Sequence, residues 1–217
     1  MNPLRILVVD DEEDLCEILQ FNLEGDGYHV DTAHSAEEAL EKDLSNYHLF
    51  LLDVMMGGLS GFKLADKLRK DQQTAHIPLI FITAKDTEND LLTGFNIGAD
   101  DFLMKPLNDK ELAARVNSLL RLKGAHDELF AKNEMIRREL AIAKRVQQFI
   151  IPGDFSRFPS PGITGRYLPI EDIGGDYFDA YHLENGSVGM VIADVTGHGI
   201  PAAMVMTMSK MIFSVYA

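Results

Sequence analysis

Five polar side chains stand where apolar runs of the first half end: Asp10 and Asp11 after "LRILVV", Asp53 after "LFLL", Thr83 after "LIFI" and Lys105 after "FLM". Three carboxylates brought together repel one another and call for a cation. A set of oxygen donors suits Mg2+, which keeps coordination positions open for a phosphoryl group, and Lys105 adds a second positive charge. Each residue also has a plainer reading. Asp10 and Asp11 could cap the helix that begins "EEDL", Asp53 could open a turn toward Gly57 and Gly58, and Lys105 could lie in solvent. Their joint placement at the ends of successive runs favours one shared site.

A second acidic pair follows. The segments "DYFDAYHL" and "SVGMVIADV" flank Glu184, Asn185 and Gly186, a hairpin signal with glycine at the loop position that needs a left-handed backbone. With a three-residue loop Leu183 pairs with Ser187, and counting back along both strands brings Asp176 opposite Asp194 on one face. Opposed like charges destabilise a bare sheet, so a bound cation explains them. A two-residue loop would instead turn Asp194 to the other face, and Asp194 could also cap the helix that follows. His198, between Gly197 and Gly199, is read as shaping the loop, because an oxygen-rich metal site does not need it.

The elements that must carry these residues are legible in the hydrophobic rhythm. From Leu4 to about Leu122, strand-like runs such as "LRILVV", "HLFLLDV" and "IPLIFIT" alternate with helix-period segments such as "EDLCEILQFNLE" and "DKELAARVNSLLRL", five times over. That alternation specifies an α/β fold, a doubly wound five-stranded parallel sheet covered by helices, with ligands beyond the carboxyl ends of the strands. Residues 118–150 contain no proline and set Leu122, Leu129, Ile136, Ala143 and Ile150 seven residues apart, a coiled-coil period. The a positions are then Leu119, His126, Asn133, Leu140 and Gln147. Asparagine at such a position fixes register and favours a parallel dimer; a single amphipathic helix docked on a neighbouring domain is the alternative. "IPGDFSRFPSPG" ends the helix with three prolines and two glycines. "ITGRYLPI", "GDYFDAYHL" and "SVGMVIADV" then read as strands opening a second domain.

At 217 residues and 46% hydrophobic content the chain can bury one to two cores. A formal charge of -14 opposes the phosphate backbone of DNA, which sets aside a nucleic-acid partner. Cys16 is the sole cysteine and lies in a helical pattern with Leu15 and Leu19, so it reads as a small buried hydrophobe in a reducing cytoplasm. No signal-peptide pattern opens the chain. Its most apolar stretch, "IPAAMVMTMSKMIFSVYA", is interrupted by Ser209 and Lys210 and reads as a core helix rather than a membrane span.

"VVDDE", "LLDVMM", "ITA" and "GADDFLMKP", in that order, make residues 1–122 resemble a response-regulator receiver domain of flavodoxin-like fold. The resemblance implies that Asp53 takes a phosphoryl group from the phosphohistidine of a sensor histidine kinase or a phosphotransfer protein. Mg2+ would be held by Asp11, Asp53, the Met55 carbonyl and, through water, Asp10. It implies further that Thr83 moves to bond the phosphoryl group, Phe102 rotates inward behind it, Lys105 balances charge, and the Lys105–Pro106 peptide bond is cis.

"AKRVQQFIIP", "RYLPIEDIGGDYFD" and "IADVTGHGIPAAM" make the end of the chain resemble the first part of the PPM-type serine/threonine phosphatases of bacterial stress and sporulation signalling. The start of an α+β phosphatase domain is implied, with Mg2+ or Mn2+ between Asp176 and Asp194, the Val195 carbonyl as a further ligand, and a phosphoprotein or sigma-factor regulator as target. The chain ends at Ala217 inside a helical pattern, before the later acidic ligands of that family, so this fragment is expected to be nearly inactive as a phosphatase. The resulting organisation is a receiver over 1–122, a coiled-coil linker over 118–150 and an incomplete phosphatase domain over 151–217. A degenerate phosphatase-like half that binds a partner without hydrolysis is the alternative. A DNA-binding output is disfavoured by charge and by the lack of a helix-turn-helix pattern.

Overall fold

The computed structural model describes residues 3–84, 88–152, 155, 156, 158, 162–168 and 172–216. The chain divides into two compact units, Met1–Glu128 and Leu129–Ala217.

In the first unit, strands β1 (Arg5–Val9), β2 (His29–Ala33), β3 (Leu49–Asp53), β4 (Leu79–Thr83) and β5 (Asp101–Met104) alternate with helices α1 (Glu13–Gly25), α2 (Ala36–Glu41), α3 (Gly61–Lys70), α4 (Glu88–Ile97) and the start of α5 (Asp109–Ile150). The strands form one parallel sheet in the order β2-β1-β3-β4-β5. Every residue of β3 and β4 is buried, because helices cover both faces and leave no solvated side for polar alternation. Side chains of one strand sort by parity into two cores. Leu7, Val9, Phe50 and Leu52 join Leu64 and Leu68 of α3, whereas Ile6, Val8, Leu49 and Leu51 join Leu19 and Leu23 of α1 and Leu112 and Val116 of α5. Each such large side chain contributes about 1.5–3 kcal/mol by leaving water. The sheet grows outward from β1 in both directions, so a crevice opens between the ends of β1 and β3, where ligands of open α/β sheets bind.

Helix α5 is continuous over 42 residues. Its first turns carry Leu112, Val116 and Leu120 into the first unit's core, while Leu122, Leu129 and Ile136 further along are 67%, 59% and 49% exposed. The heptad count assigns Gln147 to the same seam, and the structure corrects this: Gln147 is buried inside the second unit. Just past the end of α5, Ile151 packs beside Tyr177 and Met206 in the core of the second unit.

The second unit has the antiparallel hairpin β6 (Tyr177–His182) and β7 (Val188–Ala193) and the helix α6 (Gly199–Tyr216). Of "ITGRYLPI", residues 163–168 run without regular structure, and the last two lie outside the described residues. The expected strand does not form: residues 163–168 join neither outer edge of the β6–β7 hairpin. Asp179 is buried on the core side of β6, paired with Lys210 of α6 and accepting a 3.1 Å hydrogen bond from the Tyr177 hydroxyl. No described helix is long and apolar enough to cross a membrane.

Candidate functional site

Asp10 directly follows β1 and Asp53 ends β3, so the sheet order itself brings their carboxylates into the crevice. Both are buried, whereas Asp11 is exposed, and one oxygen from each of Asp10, Asp11 and Asp53 lies within 4.8 Å of the others. The Lys105 ammonium, just past β5, stands 3.4 Å from Asp53 Oδ1, 3.0 Å from Asp10 Oδ2 and 2.7 Å from Glu12 Oε1. Thr83 is buried at the end of β4, where its carbonyl accepts a 2.8 Å hydrogen bond from the Lys105 amide. The Lys105–Pro106 peptide bond is cis.

The capping alternative for Asp10 and Asp11 does not hold. Glu12 occupies the N-cap of α1, without a side-chain cap, and Asp11 Oδ2 accepts instead from the Gly57 amide at 3.1 Å. The turn at Asp53 does form, with Oδ2 accepting from the Met55 amide at 3.2 Å. That contact fixes the carboxylate rather than removing it from the site, since Oδ1 still faces Lys105. Asp10 Oδ2 is buried, with the Lys105 ammonium at 3.0 Å as its ion-pair partner. Three carboxylates this close together are a donor set that fits a hard divalent cation.

Electrostatics follow from this crowding. Burial pushes the Asp53 carboxyl above the ordinary range, Asp10 adds to the rise, and Lys105 opposes it. Burial works against the Lys105 charge, but hydrogen bonding to Glu12 and Asp10 outweighs it and holds the ammonium more basic than usual. The crevice therefore brings together a buried carboxylate, a fixed cation and oxygen donors of the kind a divalent metal takes.

Two glycines shape the surroundings. A methyl group on Gly61, at the start of α3, would lie 2.0 Å from the Asp53 carbonyl oxygen, so α3 can approach β3 this closely only without a side chain there. A methyl group on Gly94 would lie 2.4 Å from the Phe102 ring, which is half-buried and packs edge-on against Phe95 at 4.8 Å. Met55 is exposed at the mouth.

In the second unit the register runs from His182↔Val188 to Tyr177↔Ala193, and its next step sets Asp176 opposite Asp194. The three-residue loop is closed by Gly186, in the left-handed region at φ 81°, whose amide donates to the Leu183 carbonyl. Both aspartates are exposed, and neither has a hydrogen-bond or ion-pair partner among the described residues. Helix α6 starts at Gly199, too far along the chain for Asp194 to cap it. Gly175 packs against Val195: a methyl group there would meet the Val195 carbonyl oxygen at 3.1 Å. Two opposed carboxylates beside a carbonyl fit part of the oxygen shell that Mg2+ or Mn2+ requires. Sequence reasoning singled out neither Asp179 nor the Gln147 carboxamide as a fixed point. A charge on the inward parity of β6 was the available signal for the first; the second is a long-range contact with no local signature.

Residues 6–117 match the family described as the response regulator receiver domain, and residues 184–217 match Stage II sporulation protein E (SpoIIE). The chain is similar to the Response regulator PleD of Caulobacter vibrioides, with 41% identity over 171 residues, 77% of this chain and 35% of that protein. It is similar also to the alkaline phosphatase synthesis transcriptional regulatory protein PhoP of Bacillus subtilis, 46% identical over 118 residues, 54% of this chain and 48% of that one. The chain thus spans less than half the length of these curated relatives. Among solved structures, a response regulator receiver domain protein from Methanospirillum hungatei superposes with a TM-score of 0.54 at 28% identity, covering 57% of this chain and 98% of that one. A two-component response regulator from Clostridium difficile gives 0.51 at 34%, covering 54% and 96%.

Proposed function

Because the chain belongs to the response regulator receiver family, we propose that Asp53 is the phosphoacceptor of a two-component signalling protein, supplied by a histidine kinase or a phosphotransfer protein. The observation that carries this reading is the crevice itself: three carboxylates with oxygens within 4.8 Å and the Lys105 ammonium 3.4 Å from Asp53 Oδ1. An Asp53 oxygen attacks the phosphorus of phosphohistidine in line; the P–N bond breaks and the imidazole departs with its electron pair. The Asp53 turn to the Met55 amide holds the carboxylate in place, and Lys105 offsets the negative charge that arrives. Asp11, Asp53 and the Met55 carbonyl, with Asp10 through water, would hold Mg2+, whose charge would offset the remaining repulsion between the pocket and a phosphoryl group. Thr83 then bonds the phosphoryl group, and Phe102 rotates inward behind it.

The test is phosphoryl uptake from a small acyl phosphate, read by intact mass. One phosphate is expected with Mg2+ present, none in chelator and none in Asp53→Asn. Labelling of Asp53→Asn at the parent rate would place the nucleophile elsewhere.

We infer that the output is PPM-type phosphatase chemistry on a phosphoprotein in a sigma-factor control circuit, with Asp176, Asp194 and the Val195 carbonyl holding Mg2+ or Mn2+. The match over 184–217 and the opposed, unpartnered aspartates support it. The exposed seam on α5 supports a parallel homodimer.

A further inference from the structure

Gln147, in the last turn of α5, makes a contact that the activity above leaves unassigned. Its carboxamide nitrogen donates to the Gly174 carbonyl at 2.5 Å, and its carboxamide oxygen accepts from the Gly174 amide at 3.1 Å. The side chain thereby completes both backbone groups of one residue, as a neighbouring strand would, and it is 95% buried while doing so. A glutamine that deep with both ends satisfied is a fixed point, since losing either bond strands a buried polar group.

Gly174 stands two residues before Asp176. On its other side the chain is gripped again. A methyl group on Gly175 would lie 3.0 Å from Ala202 of α6 and 3.1 Å from the Val195 carbonyl oxygen. The segment that leads into Asp176 is therefore held between α5 and the Val195 turn. The side chain of Asp176 itself is exposed and has no partner of its own among the described residues, so its position follows from the backbone before it.

We propose that Gln147 is a positioning residue for the metal site: the end of α5, acting through Gly174, sets the distance of the Asp176 carboxylate from Asp194 and the Val195 carbonyl. This rests on the metal reading of those two aspartates. Because α5 is one continuous helix, a shift or rotation of its final turn would be felt first at Gly174.

The test uses the whole chain in an Asp11→Asn, Asp53→Asn background, which silences the receiver pocket. Mn2+ uptake is followed by electron paramagnetic resonance, and amide exchange of the segment around Gly174 by mass spectrometry. Gln147→Ala is expected to expose the Gly174 amide and to weaken Mn2+ binding by about tenfold, the usual loss when a group that orients a ligand is removed. Gln147→Glu keeps the acceptor for the Gly174 amide and is expected to restore part of both; Gln148→Ala, one residue on and exposed, should leave both unchanged. If Gln147→Ala exposes Gly174 but binds Mn2+ like the parent, the positioning role is overturned while the metal site stands. If Asp194→Ala binds Mn2+ like the parent, or the parent binds none, the metal reading fails and this inference falls with it.

Discussion

Asp53 and Asp179 show two ways of keeping a carboxylate in a protein interior. Asp53 is buried with its carboxyl pushed up by desolvation, a state that a cation or a phosphoryl group can relieve; Asp179 is buried and already neutralised by Lys210. Burial by itself would raise the Asp179 pKa, but Lys210, the Tyr181 hydroxyl and the Ala180 amide outweigh it and hold it below the ordinary value. A depressed folded-state pKa contributes stability that is present above the ordinary carboxylate value of about 4 and is lost as pH falls through the folded one. Lys210→Met, which leaves the buried charge unpaired, should cost about 3–5 kcal/mol at neutral pH. The deficit should shrink on acidification, as Asp179 takes up a proton. Urea unfolding of the second unit at a series of pH values would measure this, and a cost independent of pH would assign the loss to packing.

The strands and helices of the first unit were readable because local pattern and global position agree. The buried runs "LFLLD" and "LIFIT" can only be central strands, and the polar residues that end them had to share one edge once the strands were parallel. Where sequence reasoning failed, the deciding contact lay elsewhere in the chain. "ITGRYLPI" has strand-like composition, yet a strand exists only where its backbone bonds to a neighbour, and residues 163–168 join neither edge of the β6–β7 hairpin. Gln147 fits the heptad by count but is taken by Gly174, a preference no seven-residue period encodes. The seam that remains open, Leu122, Leu129 and Ile136, presents large apolar side chains to water. Sedimentation should find a dimer at micromolar concentration, and Leu129→Asp should return it to monomer by burying a charge in the seam. A monomeric parent at high concentration would leave the docked helix as the account of this segment.

As a whole molecule the chain has two compact units and a formal charge of -14. The first unit carries the acidic crevice, so a cation that binds there stabilises that unit alone. Calorimetry should resolve two transitions, and Mg2+ at a hundredfold excess over its Kd should stabilise the one belonging to the receiver by about 2.7 kcal/mol. Asp53→Asn should abolish most of that shift and leave the other transition in place. A single transition moved as one by Mg2+ would show that the two units unfold together.

The molecule also carries one thiol, and its surroundings make it quiet. Cys16 is 1% exposed behind the first carboxylate of the crevice, its Sγ donates weakly to the Asp10 carbonyl at 3.4 Å, and burial followed by the Asp10 charge pushes its pKa up to about 11. The reactive form of a cysteine is the thiolate, which is scarce at neutral pH under those conditions. The native chain is therefore a blank for thiol chemistry. A cysteine introduced at an exposed site, on the open stretch of α5 or beside the hairpin loop, becomes the one place where a spin label or fluorophore attaches. A test for movement of α5 on phosphorylation can thus use a pair of such labels without first removing the native residue.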